Sequence, residues 1–203
     1  MHKLLMILGL ILVQNVIVQA QEKMLLLNGR TIDIRRHTIN EDYIFYYKTN
    51  DVRTKARLAE KVDIFSIQKA DGTEEMIFQD DSANGLSIEQ VRNYIRGEQA
   101  AMRFYKSQTH IGESAILGVA SSVLIFYSFP IPMFNAVILG RFSPKKMLIP
   151  EGYDAPYSGT EEYLMGYQKK SRNLKIQQSI KWGYIGLGVG LIGFITYYST
   201  GNK

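Results

Sequence analysis

Cysteine is absent from the 203 residues, which excludes disulfides, thiolate metal sites, cysteine nucleophiles and lipid attachment through cysteine. Histidine occurs only as His2, His37 and His110, too widely spaced for a metal or acid–base cluster. No G-x-S-x-G, P-loop or H-E-x-x-H pattern occurs. Gly188-Val-Gly190-Leu-Ile-Gly193 fits G-x-G-x-x-G, but a dinucleotide site needs a preceding strand and an acidic residue about twenty positions on. The adjacent carboxylates Glu74-Glu75 and Asp80-Asp81 read as solvated turns. The expectation is therefore no catalytic residue, no cofactor, no metal and no enzyme activity. Charge is missing from two stretches, 114–140 and 182–202. Those gaps organise everything else.

The chain is 46% hydrophobic and 21% charged, with a mean hydropathy of −0.10. These averages suit a globular protein, yet the apolar residues lie in three blocks. The formal charge of +5 is also uneven. Residues 21–110 hold 14 Lys+Arg and 14 Asp+Glu, whereas residues 111–203 hold 9 against 5. Eight of those nine fall between Arg141 and Lys181. A basic loop between two apolar runs is the pattern of a cytoplasmic loop. A nucleic-acid partner is not expected, because the folded region is neutral.

Met1-His2-Lys3 precedes an apolar run from Leu4 to Val13. As a helix that run is about 15 Å long, short of the ~30 Å hydrocarbon core. Val18-Gln19-Ala20 then supplies small residues before Gln21, so residues 1–20 read as a cleaved signal peptide. Everything from 21 onward is expected to begin outside the cytoplasm.

Residues 21–85 show strand periodicity. Asn28-Gly29 separates Met24–Leu27 from Thr31–Arg35, a strong hairpin signal. Tyr43–Lys48, Lys55–Glu60, Asp63–Lys69 and Glu74–Gln79 are further expected strands, the last two joined by Asp71-Gly72. Several short strands in so few residues suggest a small SH3- or Sm-like β domain. Ser87 and Gln90 form a capping box for a juxtamembrane helix over 86–110, with Ile88, Val91, Tyr94 and Ile95 on one face. The expected fold class is an α+β membrane protein: this β domain plus helix, followed by two transmembrane helices.

The first membrane segment covers 111–140. Pro130 and Pro132 interrupt it, leaving either one kinked span or a re-entrant arrangement. The second covers 182–199, with Trp182 and Tyr184 at one interface and Tyr197 and Tyr198 at the other. Residues 200–203 form a tail. Ser114, Gly118 and Ser122 recur every fourth position, and Gly186 and Gly190 form a GxxxG. Such faces let helices approach closely in lipid. Between the segments, 141–181 is expected to be a basic cytoplasmic loop rich in tyrosine. Glu161–Lys175 could form an amphipathic helix running into the second span.

Asn28-Gly29-Arg30, Asp71–Glu75, Leu86–Ala100 (LSIEQVRNYIRGEQA) and Glu162–Lys175 (EYLMGYQKKSRNLK) together resemble a family of uncharacterised bacterial cell-envelope membrane proteins. The resemblance implies a signal peptide, a small β domain and Gly-rich membrane segments, and implies no activity. The expected function is a non-enzymatic envelope protein, anchored in the inner (cytoplasmic) membrane, whose β domain binds a protein or envelope component. The alternatives are a transmembrane signalling or assembly subunit and, behind it, a channel or transporter component. Expected partners are membrane lipid and a protein, or a second copy joined through the Gly-rich spans.

Overall fold

The computed structural model describes residues 21–49, 54–80, 85–106, 108–124, 129–141, 149–150 and 152–201. The expected signal peptide and the last two residues of the tail lie outside the described residues. The fold is α+β, with two small antiparallel sheets and four helices. It divides into two compact units, one ending at Asp81 and the other beginning at Ser82.

In the first unit, β1 (Glu22–Leu26), β2 (Thr31–Ile34), β6 (Ile64–Gln68) and β7 (Glu74–Met76) form a sheet in the order β2-β1-β6-β7. The second sheet is β3 (Arg36–Ile39), β4 (Tyr43–Tyr47) and β5 (Arg57–Glu60). Gly29 takes φ +76° and Gly72 φ +87°, so both expected turns use the left-handed backbone that glycine adopts without strain. β2 and β3 are separated only by Arg35, whose N–H donates to the Tyr47 carbonyl at 2.8 Å. The chain thus leaves one sheet and enters the other at a single bend. A one-turn 3-10 helix, Lys61–Asp63, then returns it to β6, which pairs with β1. Met24, Ile34, Ile44, Tyr46, Ile64 and Ile67 form the buried core. Ile44 and Tyr46 alternate with less buried neighbours, the period-2 pattern of a strand with one face inward, whereas β6 is buried on both faces from Ile64 to Ile67. β3 was not expected: three of its four residues are exposed, so it carries little alternation to detect.

The second unit comprises α1 (Ile88–Phe104), α2 (Gln108–Ser121), α3 (Ile131–Gly140) and α4 (Glu161–Gly201). The capping box that opens α1 is present: Gln90 N–H donates to Ser87 Oγ, and Ser87 N–H to Gln90 Oε1 at 2.9 Å. α1 packs along α4. α4 continues from the basic stretch through the second apolar segment without a break. The latter part of the expected 141–181 loop is therefore helix, as the periodicity of Glu161–Lys175 suggested.

Residues 111–140 are not one kinked helix. Pro130 is the N-cap of α3 and Pro132 lies in its first turn, positions where proline starts a helix because its missing N–H costs nothing. α2 rises along α4, with Ala115 against Gly186, Gly118 against Gly183 and Leu187, and Val119 and Ser122 against Gly190. α3 runs the other way: Phe129 meets Tyr184, Pro132 meets Gly183 and Gly140 meets Ile176. The segment doubles back. Its two apolar helices, Ile111–Leu124 and Ile131–Gly140, would be about 21 and 15 Å long, neither enough for a ~30 Å core. Among the described residues α4 alone is long and apolar enough to cross a membrane.

Candidate functional site

α4 is lined with small residues on the side its neighbours occupy, and these decide how closely the helices approach. A β-carbon at Gly186 would overlap the Ala115 carbonyl, and one at Gly118 the Gly183 carbonyl. Gly190 accommodates the Ser122 side chain. The expected packing residues Gly118, Ser122, Gly186 and Gly190 are thus brought together, all at one seam between α2 and α4. Ser114 is buried and accepts a bond from Asn135 Nδ2 of α3 at 3.3 Å. Ser122 satisfies its own hydroxyl on the Val119 carbonyl at 2.6 Å, so it packs as a small apolar group. This seam is filled from within the chain.

Lower on α4 the same device recurs at residues not singled out from the sequence. A β-carbon at Gly97 would overlap the Tyr163 carbonyl, and one at Gly166 the Tyr94 carbonyl. The two glycines make α1 and α4 cross with their backbones in contact. A mid-helix glycine costs about 1 kcal/mol against alanine, and here close backbone contact offsets that cost.

Around that crossing lies a polar cluster. Glu98 is buried; its Oε1 accepts the Tyr94 hydroxyl at 3.2 Å, and Lys170 Nζ lies 3.8 Å from its Oε2. Lys169 lies over the Tyr94 ring, 5.3 Å from its centroid. Hydrogen bonding to Tyr94 holds the Lys169 ammonium above its ordinary range, and burial pushes the Tyr94 phenol up. Gln90 Nε2 donates to Glu162 Oε1 at 2.9 Å, closing the start of the crossing. A buried charge pair is a poor source of net stability but a good device for fixing register, because an unmatched partner is costly.

The tyrosines of the expected cytoplasmic loop belong to the same assembly. Tyr163 and Tyr167 are fully buried with Ala100 and Ala101, and Tyr153 and Tyr157 pack against them. Tyr153 meets Phe104 edge-on at 4.7 Å, and Arg96 lies 3.8 Å over Tyr157. Burial pushes the Tyr163 phenol well above its usual range, with Asp154 adding to the shift. These contacts hold α1 against residues 153–170.

The interface aromatics divide. Tyr184 is a packing residue: its hydroxyl donates to the Phe129 carbonyl at 3.1 Å and pins the turn before α3. Trp182 borders a shallow apolar groove of about 460 Å³ with Ala115, Val119, Ile185 and Val189. Tyr197 and Tyr198 are exposed near the end of α4, where an aromatic belt belongs.

No known protein family, curated protein or solved structure matches this chain. Among the described residues no group of three His, Asp or Glu side chains is placed to hold a metal ion.

Proposed function

We propose that the chain is a non-enzymatic, membrane-anchored envelope protein whose β unit, an SH3/Sm-like barrel, binds a protein or envelope component. The bent β2–β3 strand shared by two sheets, with β6 returning to β1 after one 3-10 turn, supports the barrel reading. The observation that carries the membrane reading is the inverted distribution of apolar surface. Ile116, Phe129, Phe134, Ile192 and Ile195 are each at least 65% exposed, while glycine and serine fill the seam between α2 and α4. Only 22% of the apolar window of α4 is buried. Water disfavours such a surface, since each Å² of exposed apolar area costs about 25 cal/mol. Lipid does not.

The proposed topology has one span, the apolar half of α4, braced by the doubled-back α2–α3 pair entering from the side where α1 lies. Residues 149–175 share that side. With a cleaved signal peptide, it is the extracytoplasmic one. The positive-inside count argues otherwise, but Lys169 and Lys170 are engaged with Tyr94 and Glu98, so part of that charge serves folding. Single cysteines introduced at Arg92, Ser158 and Asn202 test this in intact cells with an impermeant thiol reagent. The first two should label and the third should not; opposite labelling of 92 and 158 overturns the topology. In-cell crosslinking of the full chain should retain a partner that is lost when the surface of the β unit is altered. Failure to retain any overturns the binding role.

A signalling or assembly subunit is the second reading. The unbroken course of α4 from the tyrosine cluster into the apolar half favours it, because a continuous helix transmits rotation or tilt.

A further inference from the structure

The β unit opens into a groove of about 470 Å³ where the bend at Arg35 splays β2 away from β4. Thr31, Ile32 and Asp33 line it on one side, and Tyr46, Lys48 and Arg57 on the other, with Arg30 beside them. Consecutive strand residues point to opposite faces. A groove touched by three in a row therefore follows the edge of β2, and β2 is the terminal strand of its sheet. An edge of this kind offers backbone donors and acceptors to an extended chain. Across the groove, Arg57 is the cross-strand partner of Tyr46.

Charge in the groove is one-sided. Arg30, Lys48 and Arg57 face a single carboxylate, Asp33, and none of the three cations has a side-chain partner among the described residues. Two other cations of the unit are engaged: Lys69 pairs with Glu75 at 3.0 Å, and Arg36 lies 3.9 Å over Tyr47. Residues 21–80 carry 10 Lys+Arg against 11 Asp+Glu. The local excess is therefore a matter of placement. Tyr46 is 7% exposed, and among the described residues its hydroxyl has no hydrogen-bond partner, leaving one more donor for a ligand.

We propose that this groove takes an acidic peptide segment of a partner protein, laid in extended form along β2 with its carboxylates on Arg30, Lys48 and Arg57. The inference rests on the β unit being a binding module and names what it binds. An anionic lipid headgroup would meet the same cations, but a concave slot beside a strand edge fits a chain better than a planar surface.

The test uses the full chain in phosphatidylcholine nanodiscs and a fluorescent peptide of alternating Glu and Thr, read by anisotropy. The acidic peptide should bind, its Lys/Thr counterpart should not, and added salt should weaken binding. Arg57→Glu and Lys48→Glu should each lower affinity by about tenfold or more. Both side chains are exposed, and far-ultraviolet circular dichroism checks that each variant folds, so either alone carries the test. Backbone N-methylation of the peptide should abolish binding. Unchanged affinity in both variants overturns the proposal. So does a wild-type protein that ignores the peptide but binds phosphatidylglycerol vesicles through the same residues. If the peptide fails while crosslinking still captures a partner on the β unit, the acidic-peptide inference falls and the binding role stands; failure of both removes both.

Discussion

The two units dispose their apolar side chains in opposite ways. In the β unit, Met24, Ile44, Ile64 and Ile67 are completely buried, and charged residues cover the outside. In the helical unit, Ile116, Phe134, Val137 and Ile192 point outward while Gly97, Gly166, Glu98 and Ser171 are inside. Water drives the first arrangement by expelling apolar area. On the proposed membrane reading the second sits in lipid, where close backbone contact and buried polar pairs provide the association.

That contrast can be broken most forcefully in the cores. Ile44→Ala in the β unit should cost about 2–5 kcal/mol, the usual range for a buried large-to-small change. Ile192→Ala on α4 should leave stability in nanodiscs within ~0.5 kcal/mol, since it removes only an exposed contact. Denaturant titration of the full chain in nanodiscs checks both, and a comparable loss for Ile192→Ala would mean that α4 has a protein neighbour there.

Glycines sharpen the comparison at a smaller scale. Gly166→Ala should destabilise the helical unit by about 1–3 kcal/mol, because its β-carbon has no room against the Tyr94 backbone. Gly188→Ala, with nothing within 4 Å, should stabilise α4 by roughly 0.5–1 kcal/mol through helix propensity. Thermal unfolding of both variants gives the sign directly.

The smallest effect is an alkaline one. The Tyr163 phenol is raised in the folded state, so the neutral form is favoured there. Its contribution is complete below the ordinary tyrosine pKa near 10 and declines as pH rises from there toward the folded value. Stability of the helical unit should fall above about pH 10, and Tyr163→Phe should flatten that decline. An unchanged slope would show that Tyr163 is not buried as described.

Much of the local structure was readable along the chain. Asn28-Gly29 and Asp71-Gly72 turn where expected, Ser87 and Gln90 cap α1, and the strand through Ile44 follows its alternation. The seam at Gly118, Gly186 and Gly190 was also visible as a small-residue repeat. Gly97 and Gly166 were not singled out, because a lone helical glycine acquires meaning only beside the backbone it touches. Tyr163 and Tyr167 fell in the expected helix and Tyr153 and Tyr157 in the loop before it, but nothing in their spacing reveals that α1 lies next to them.

By itself the sequence determined where turns, caps and charge-free lengths fall, because these depend on dihedral preferences and on hydrophobicity over a few neighbouring residues. Only the tertiary structure decided that α2 rises and α3 returns along one helix, that the glycines are filled from within the chain, and that residues 153–170 lie beside α1. Those choices rest on contacts between residues far apart in the chain, such as Gly118 with Gly183 and Gly97 with Tyr163, whose energies no local pattern encodes.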